Sequence, residues 1–149
     1  MGWRSAVRRA GARAWAVVGV PSVVFVVWRL VHAAVVGARG SGPVEATTAF
    51  DGAFYLSLLR EGYLAPPGGF DEFSNAAFFP GLVWLTQAVQ LVVRDETAAV
   101  LLVANGLALA AFVTVAGALR AWVDEAAGTR GVAALALLPT SYYLWMYYT

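Results

Sequence analysis

Apolar stretches of about eighteen or more residues, separated by short polar patches, fill most of this chain, and about eighteen to twenty residues is the helical length that crosses ~30 Å of hydrocarbon. They run over about 14–36, 76–93, 97–119 and from about 132 onward. With 60% hydrophobic and 13% charged residues, a soluble globular domain is excluded. The pattern predicts an all-α, polytopic membrane bundle of about four transmembrane helices, read as a single membrane domain over 1–149. The chain has no cysteine, which excludes a disulfide framework, a thiolate metal site and a thiol nucleophile. A net charge of +1 without a basic face gives no ground for a nucleic-acid partner. All ten basic residues are Arg, and with abundant Ala, Val and Gly this composition points to a GC-rich, bacterial source.

Arg4, Arg8, Arg9 and Arg13 precede the first apolar run with no acidic residue among them, which predicts a cytoplasmic N-terminus. A cleaved signal peptide is the competing reading, but the apolar run outlasts a usual signal core and Ala38-Arg39-Gly40 is a poor cleavage site. Pro21, in the first third of this helix, is expected to kink it. Arg29 and His32 fall in its outer third, three apart and so on one face. Either Arg29 snorkels to the interface with His32 incidental beside it, or both point inward to hold an anionic phosphate.

Residues 37–75 form the first long loop, expected outside the cell. Within it a short interfacial helix is predicted over 50–60, capped by Thr47, Thr48 or Asp51 and ended by Gly62. Asp51, Tyr55 and Leu58 share one of its faces. The Pro-Pro and Gly-Gly pairs of 65–74 require loop. In the second apolar run Thr86, Gln87 and Gln90 mark a face turned into the bundle, and Arg94-Asp95-Glu96 is a tight polar turn. The third run carries Ala104, Gly106, Ala108 and Ala110 for close helix packing, with Asn105 able to bond across. A polar loop over 120–130 leads to the fourth helix, which holds Pro139 and a terminal cluster of tyrosines. That terminus, apolar and aromatic with no polar flank, reads as the end of the N-terminal portion of a larger bundle.

Gly-rich phosphate loops, His/Cys/Asp metal clusters and a Ser-His pair with a supporting carboxylate are all missing from the sequence, so no metal ion or cofactor is expected. What remains for chemistry is the acidic residues of the first loop. Asp51, set among aromatic rings, fits a general base that activates a hydroxyl, but taken alone it reads first as a helix N-cap. Asp71 and Glu72 read as solvated loop charges.

The ordered string Asp51-Gly52-Ala53-Phe54-Tyr55, Glu61-Gly62-Tyr63 and Ala77-Phe78-Phe79-Pro80-Gly81 resembles the first-loop signature of the PIG-V family of mannosyltransferases. Leu138-Pro139-Thr140-Ser141-Tyr142, followed by Tyr147-Tyr148-Thr149, is similar to a later motif of that family. Together these cover residues 50–149, with Phe50 where the family usually has Trp and without the acidic residue expected after Thr149. The resemblance implies a multi-spanning GT-C glycosyltransferase with a polyprenyl-phosphate sugar donor, mannose first among the sugars. It also implies a glycolipid or glycan acceptor and an inverting transfer. In that picture Asp51 takes the acceptor proton and Tyr55 and Tyr63 shape the sugar pocket, while Arg60, Arg29 or His32 meet the donor phosphate. Two readings compete with it: a small non-catalytic membrane scaffold or assembly protein, and a transporter fragment, the latter because Pro-broken helices and an intramembrane Arg can mark a substrate path.

Overall fold

The computed structural model describes residues 3–42, 45–46, 52–63 and 80–138. Every regular element among them is helical: α1 (Trp3–Ala14), a π turn (Trp15–Gly19), α2 (Val20–Ala38), α3 (Gly52–Glu61), α4 (Gly81–Gln90), α5 (Glu96–Trp122) and α6 (Glu125–Leu137). The chain divides into two compact units. The first is Met1–Val35 with Leu107–Tyr143, and the second is Val36–Gly106 with Leu144–Thr149.

In the first unit, α1, the π turn and α2 follow one another without a break. A widened turn, not a break, precedes Pro21. Proline has no N–H to give the carbonyl four residues back, and its ring crowds that carbonyl. The helix responds by opening to a longer step, in which the Val20 N–H donates to the Trp15 carbonyl five residues earlier. The Trp15 ring lies over Gly19, in the space that a Cβ there would occupy.

α2 buries Pro21, Phe25 and Trp28, an i, i+4, i+7 stripe. The remaining surface is not polar. Val23, Val26, Val27, Leu30 and Val31 all stand more than half exposed. Across Ala10–Ala38 only 17% of the most apolar eighteen-residue window is buried, and for α5 the figure is 33%. A core helix of a soluble protein hides such surface, whereas a membrane helix turns it to lipid. Two helices, Ala10–Ala38 and Glu96–Trp122, are thus long and apolar enough to cross a membrane.

Phe112 of α5 closes the first unit's core. Its ring meets Phe25 edge-on at 5.8 Å and Trp28 at 5.4 Å between centroids. Ala108, Ala116 and Val132 are buried with it. α6 begins at Glu125, inside the expected loop 120–130, because Asp124 caps it: the Ala127 N–H donates to Oδ1 at 2.6 Å. Gly128 is required by close approach, since a Cβ there would stand 2.5 Å from Arg120 Cγ and 2.9 Å from the Ala116 carbonyl. The Arg120 side chain, 7% exposed, lies against that glycine, with its Nη2 donating to Thr129 Oγ1 at 3.3 Å.

The second unit packs Tyr55 and Leu58 of α3 against Leu82 and Val83 of α4 and Val100 and Val103 of α5. Gly62 ends α3 as expected, with φ +74° and its N–H donating to the Leu58 carbonyl at 3.0 Å. α4 holds ten residues, about 15 Å of helix. Leu91 and Val92 then turn out of the helix, their N–H groups returning to Ala88 and Val89. Asp95 caps α5 by accepting from the Ala98 N–H at 2.7 Å.

Three expectations about polar and small residues change. Thr86 is buried but bonds its own helix at Leu82, and Gln87 is exposed, so the two do not form one inward polar face. Asn105 Nδ2 donates to the Leu101 carbonyl at 2.6 Å, within α5 and not across to a neighbour. Of the small residues, Ala104 and Ala108 are buried while Gly106 and Ala110 face outward. The stripe that packs is therefore Ala104, Ala108, Phe112 and Ala116, at intervals of four.

Candidate functional site

The residues singled out by sequence divide between the two units. Asp51 lies outside the described residues, as do Thr47 and Thr48, Phe78 and Phe79, and the tyrosines after Pro139. The chain becomes describable at Gly52, the first residue of α3. Tyr55, Arg60 and Tyr63 are held by α3 and its exit, in the second unit, while Arg29 and His32 sit on α2 in the first.

Tyr55 is 1% exposed, at the centre of the second unit's apolar cluster. A ring so covered has no face left for a sugar, which corrects its expected place in the pocket wall: Tyr55 seats α3. Tyr63 follows the Gly62 turn and is 50% exposed. The same turn that ends α3 thus separates a buried tyrosine from an open one eight positions later.

Arg60 is engaged by Glu96. Its Nη2 donates to Oε1 at 2.6 Å, and its Nε reaches Oε1 at 3.0 Å and Oε2 at 3.2 Å. This forked contact is the strong form of an Arg–carboxylate pair. The hydrogen bond first, and the Glu96 and Glu61 charges after it, raise the Arg60 pKa above its ordinary value. The contact ties Arg60 to the start of α5, with the guanidinium still more than half exposed.

On α2, His32 stacks beside Trp28 with ring centroids 4.6 Å apart, and its Nδ1 lies 2.9 Å from the Trp28 carbonyl. A carbonyl only accepts, so the proton of this bond sits on Nδ1. Arg29 is half-buried on the same helix. Both residues stand on the helix expected to carry them, and Trp28 is the added element that orients the imidazole.

Two further features bear on chemistry. Among the described residues no three His, Asp or Glu side chains gather in a way that could hold a metal ion. An apolar groove of about 450 Å³ runs beside the π turn, lined by Trp15, Gly19, Ser22, Val23, Val26 and Val27. Its Ser22 hydroxyl donates to the Val18 carbonyl, so nothing in the groove offers acid, base or nucleophile.

Glu96 is the site-proximal residue that sequence reasoning missed. It lies 36 positions from Arg60, beyond any local spacing rule. The Asp95 and Asp124 caps had a legible signal, an Asp just before an apolar helical run. Compared with known proteins, the chain matches no family model, no curated protein and no solved structure.

Proposed function

We propose that this protein is an integral membrane glycosyltransferase of GT-C type, transferring mannose from a polyprenyl-phosphate donor to a glycolipid or glycan acceptor with inversion. The observation that carries this reading is the ordered string from Asp51 through Gly62-Tyr63 to Phe78-Phe79-Pro80, set between two helices of membrane-crossing length and apolarity. In the reaction Asp51 accepts the proton of the acceptor hydroxyl, and the oxygen attacks the sugar's anomeric carbon. The bond from that carbon to the donor phosphate breaks, its electron pair leaving with the polyprenyl phosphate. Single displacement from the opposite side inverts the anomeric centre. Partial desolvation near aromatic rings would raise the basicity of the carboxylate.

Tyr63 is proposed as the ring that lies against the sugar, for its exposure at the end of α3. Arg29 and His32 are proposed for the donor phosphate, where the guanidinium supplies charge and donors and the imidazole, its Nδ1–H held by the Trp28 carbonyl, would donate from Nε2 in its protonated form. Tyr55 and Arg60 act through position, by holding α3 against its unit. The protein is placed in a bacterial cell membrane as a multi-pass chain, with the N-terminus cytoplasmic and the first long loop extracytoplasmic, on the strength of the four N-terminal arginines.

The test is transfer of radiolabelled mannose from polyprenyl-phosphate mannose in membranes containing the protein or its Asp51→Asn variant. The variant is expected to lose on the order of 10²–10⁴ in rate at unchanged protein level, the contribution of a positioned general base. Equal rates would remove Asp51 from the chemistry. Transfer from a nucleotide sugar but not from the lipid-linked donor would overturn the donor class.

A further inference from the structure

We infer that residues 39–95 form one module on a single face of the membrane, and that α5 returns the chain across it toward the cytoplasm. The inference rests on the membrane reading above and is independent of which sugar is transferred. Two separate observations lead to it.

The first is the forked pair of Arg60 and Glu96, with 2.6 Å at its shortest. Those two residues end α3 and begin α5, and the pair fixes both ends at one level. A hydrocarbon layer of ~30 Å cannot lie between them. Between α2 and Arg60 the chain has no apolar stretch of crossing length: residues 39–51 include Arg39, Glu45 and Asp51, and α3 is ten residues long. Arg60 is therefore on the face that α2 reaches, and Glu96 is on that face with it. α4 fits this placement, because its ten residues cover about 15 Å, half of the layer. Its Leu82 and Val83 pack on the same cluster as Tyr55, Leu58 and Val100.

The second is the distribution of arginine outside the crossing segments. If α5 runs inward, Arg120 and Arg130 join Arg4, Arg8, Arg9 and Arg13 in the cytoplasm, against Arg39, Arg60 and Arg94 outside. That is six against three. A crossing by 76–93 places Arg94 inside and Arg120 and Arg130 outside, which is five against four. Orientation follows the excess of basic residues in short cytoplasmic segments, so the arrangement demanded by the ion pair is also the one the charges favour. The functional consequence is that Tyr63, the Pro80-Gly81 start of α4 and the Arg60–Glu96 clasp all belong to one extracytoplasmic module, bounded by α2 and α5.

The chain has no native cysteine, so single reporters can be introduced cleanly. Glu61→Cys and Val92→Cys report on the module, Ala126→Cys on the α5–α6 turn and Gly11→Cys on the N-terminal helix, all at exposed positions. Each variant is treated with a membrane-impermeant maleimide in right-side-out vesicles, before and after detergent. We expect Glu61→Cys and Val92→Cys to label in intact vesicles, and Gly11→Cys and Ala126→Cys only in opened ones. Val92→Cys protected with Ala126→Cys labelled would overturn the inference and restore a crossing by 76–93, leaving the membrane reading intact. The inverse pattern at all four positions would overturn the extracytoplasmic assignment. Release of the protein by alkaline carbonate, or labelling of all four from one side, would overturn the membrane reading itself.

Discussion

Tyr55 and Tyr63 are eight positions apart, and exposure assigns them opposite work. Tyr55 fills the centre of a cluster built by three helices, so truncating it leaves a hole that Leu58, Leu82 and Val103 cannot close. Tyr55→Ala is expected to destabilise the protein on the order of 3–5 kcal/mol, the cost of deleting a large core aromatic. Any loss of transfer should then follow the fall in melting temperature in lipid nanodiscs. Tyr63→Ala removes an exposed ring and should leave stability within about 0.5 kcal/mol, while raising KM for the lipid-linked donor. A Tyr63 variant with unaltered KM would remove it from the sugar site. A Tyr55 variant of full stability and impaired binding would return Tyr55 to that site.

At the scale of the element, each helix end has a local cause, and much of it was legible. Gly62 was expected to stop α3 and does so with a left-handed backbone, so Gly62→Ala should cost about 1 kcal/mol. Asp95 and Asp124 each hold the first turn of the helix that follows, and Asp124→Ala should cost about 1 kcal/mol, measured by thermal unfolding. The start of α6 was placed too late because the segment 120–130 carries Gly128 among charges, with Gly131 directly after it, a composition that reads as loop. What makes it helix is tertiary: Gly128 admits the Arg120 stem and the Ala116 carbonyl, a contact that spacing along the chain does not reveal. Tyr55 was misread for a related reason. Its face was found correctly, but a shared face does not say whether sugar or leucine covers it. Asp51, the residue on which most chemistry was placed, lies outside the described residues, so its role stands on sequence resemblance.

At the scale of the whole molecule, the Arg60–Glu96 pair joins segments that local patterning treats as strangers, and its chemistry predicts how it should respond to change. Arg60 is exposed and Glu96 partly so, which means that solvent and salt screen their attraction. Its value is in register: it sets the end of α3 beside the start of α5. Arg60→Glu places two carboxylates together and Glu96→Arg places two guanidinium groups together, so each single reversal should lower the melting temperature. The double reversal restores opposite signs at the same separation and should recover more stability than the two single effects summed, the signature of direct coupling. Adding salt should shrink that recovery. Raising pH should not, through Arg60. A base whose folded-state pKa is raised keeps its contribution below its unfolded value and loses it only as pH passes the higher folded one. For a guanidinium that range lies beyond ordinary buffers, so the coupling should stay flat from neutral to mildly alkaline pH. Additive single effects would mean that α3 and α5 are not clasped here, and the placement of residues 39–95 on one face would lose its first support while the arginine distribution kept its own.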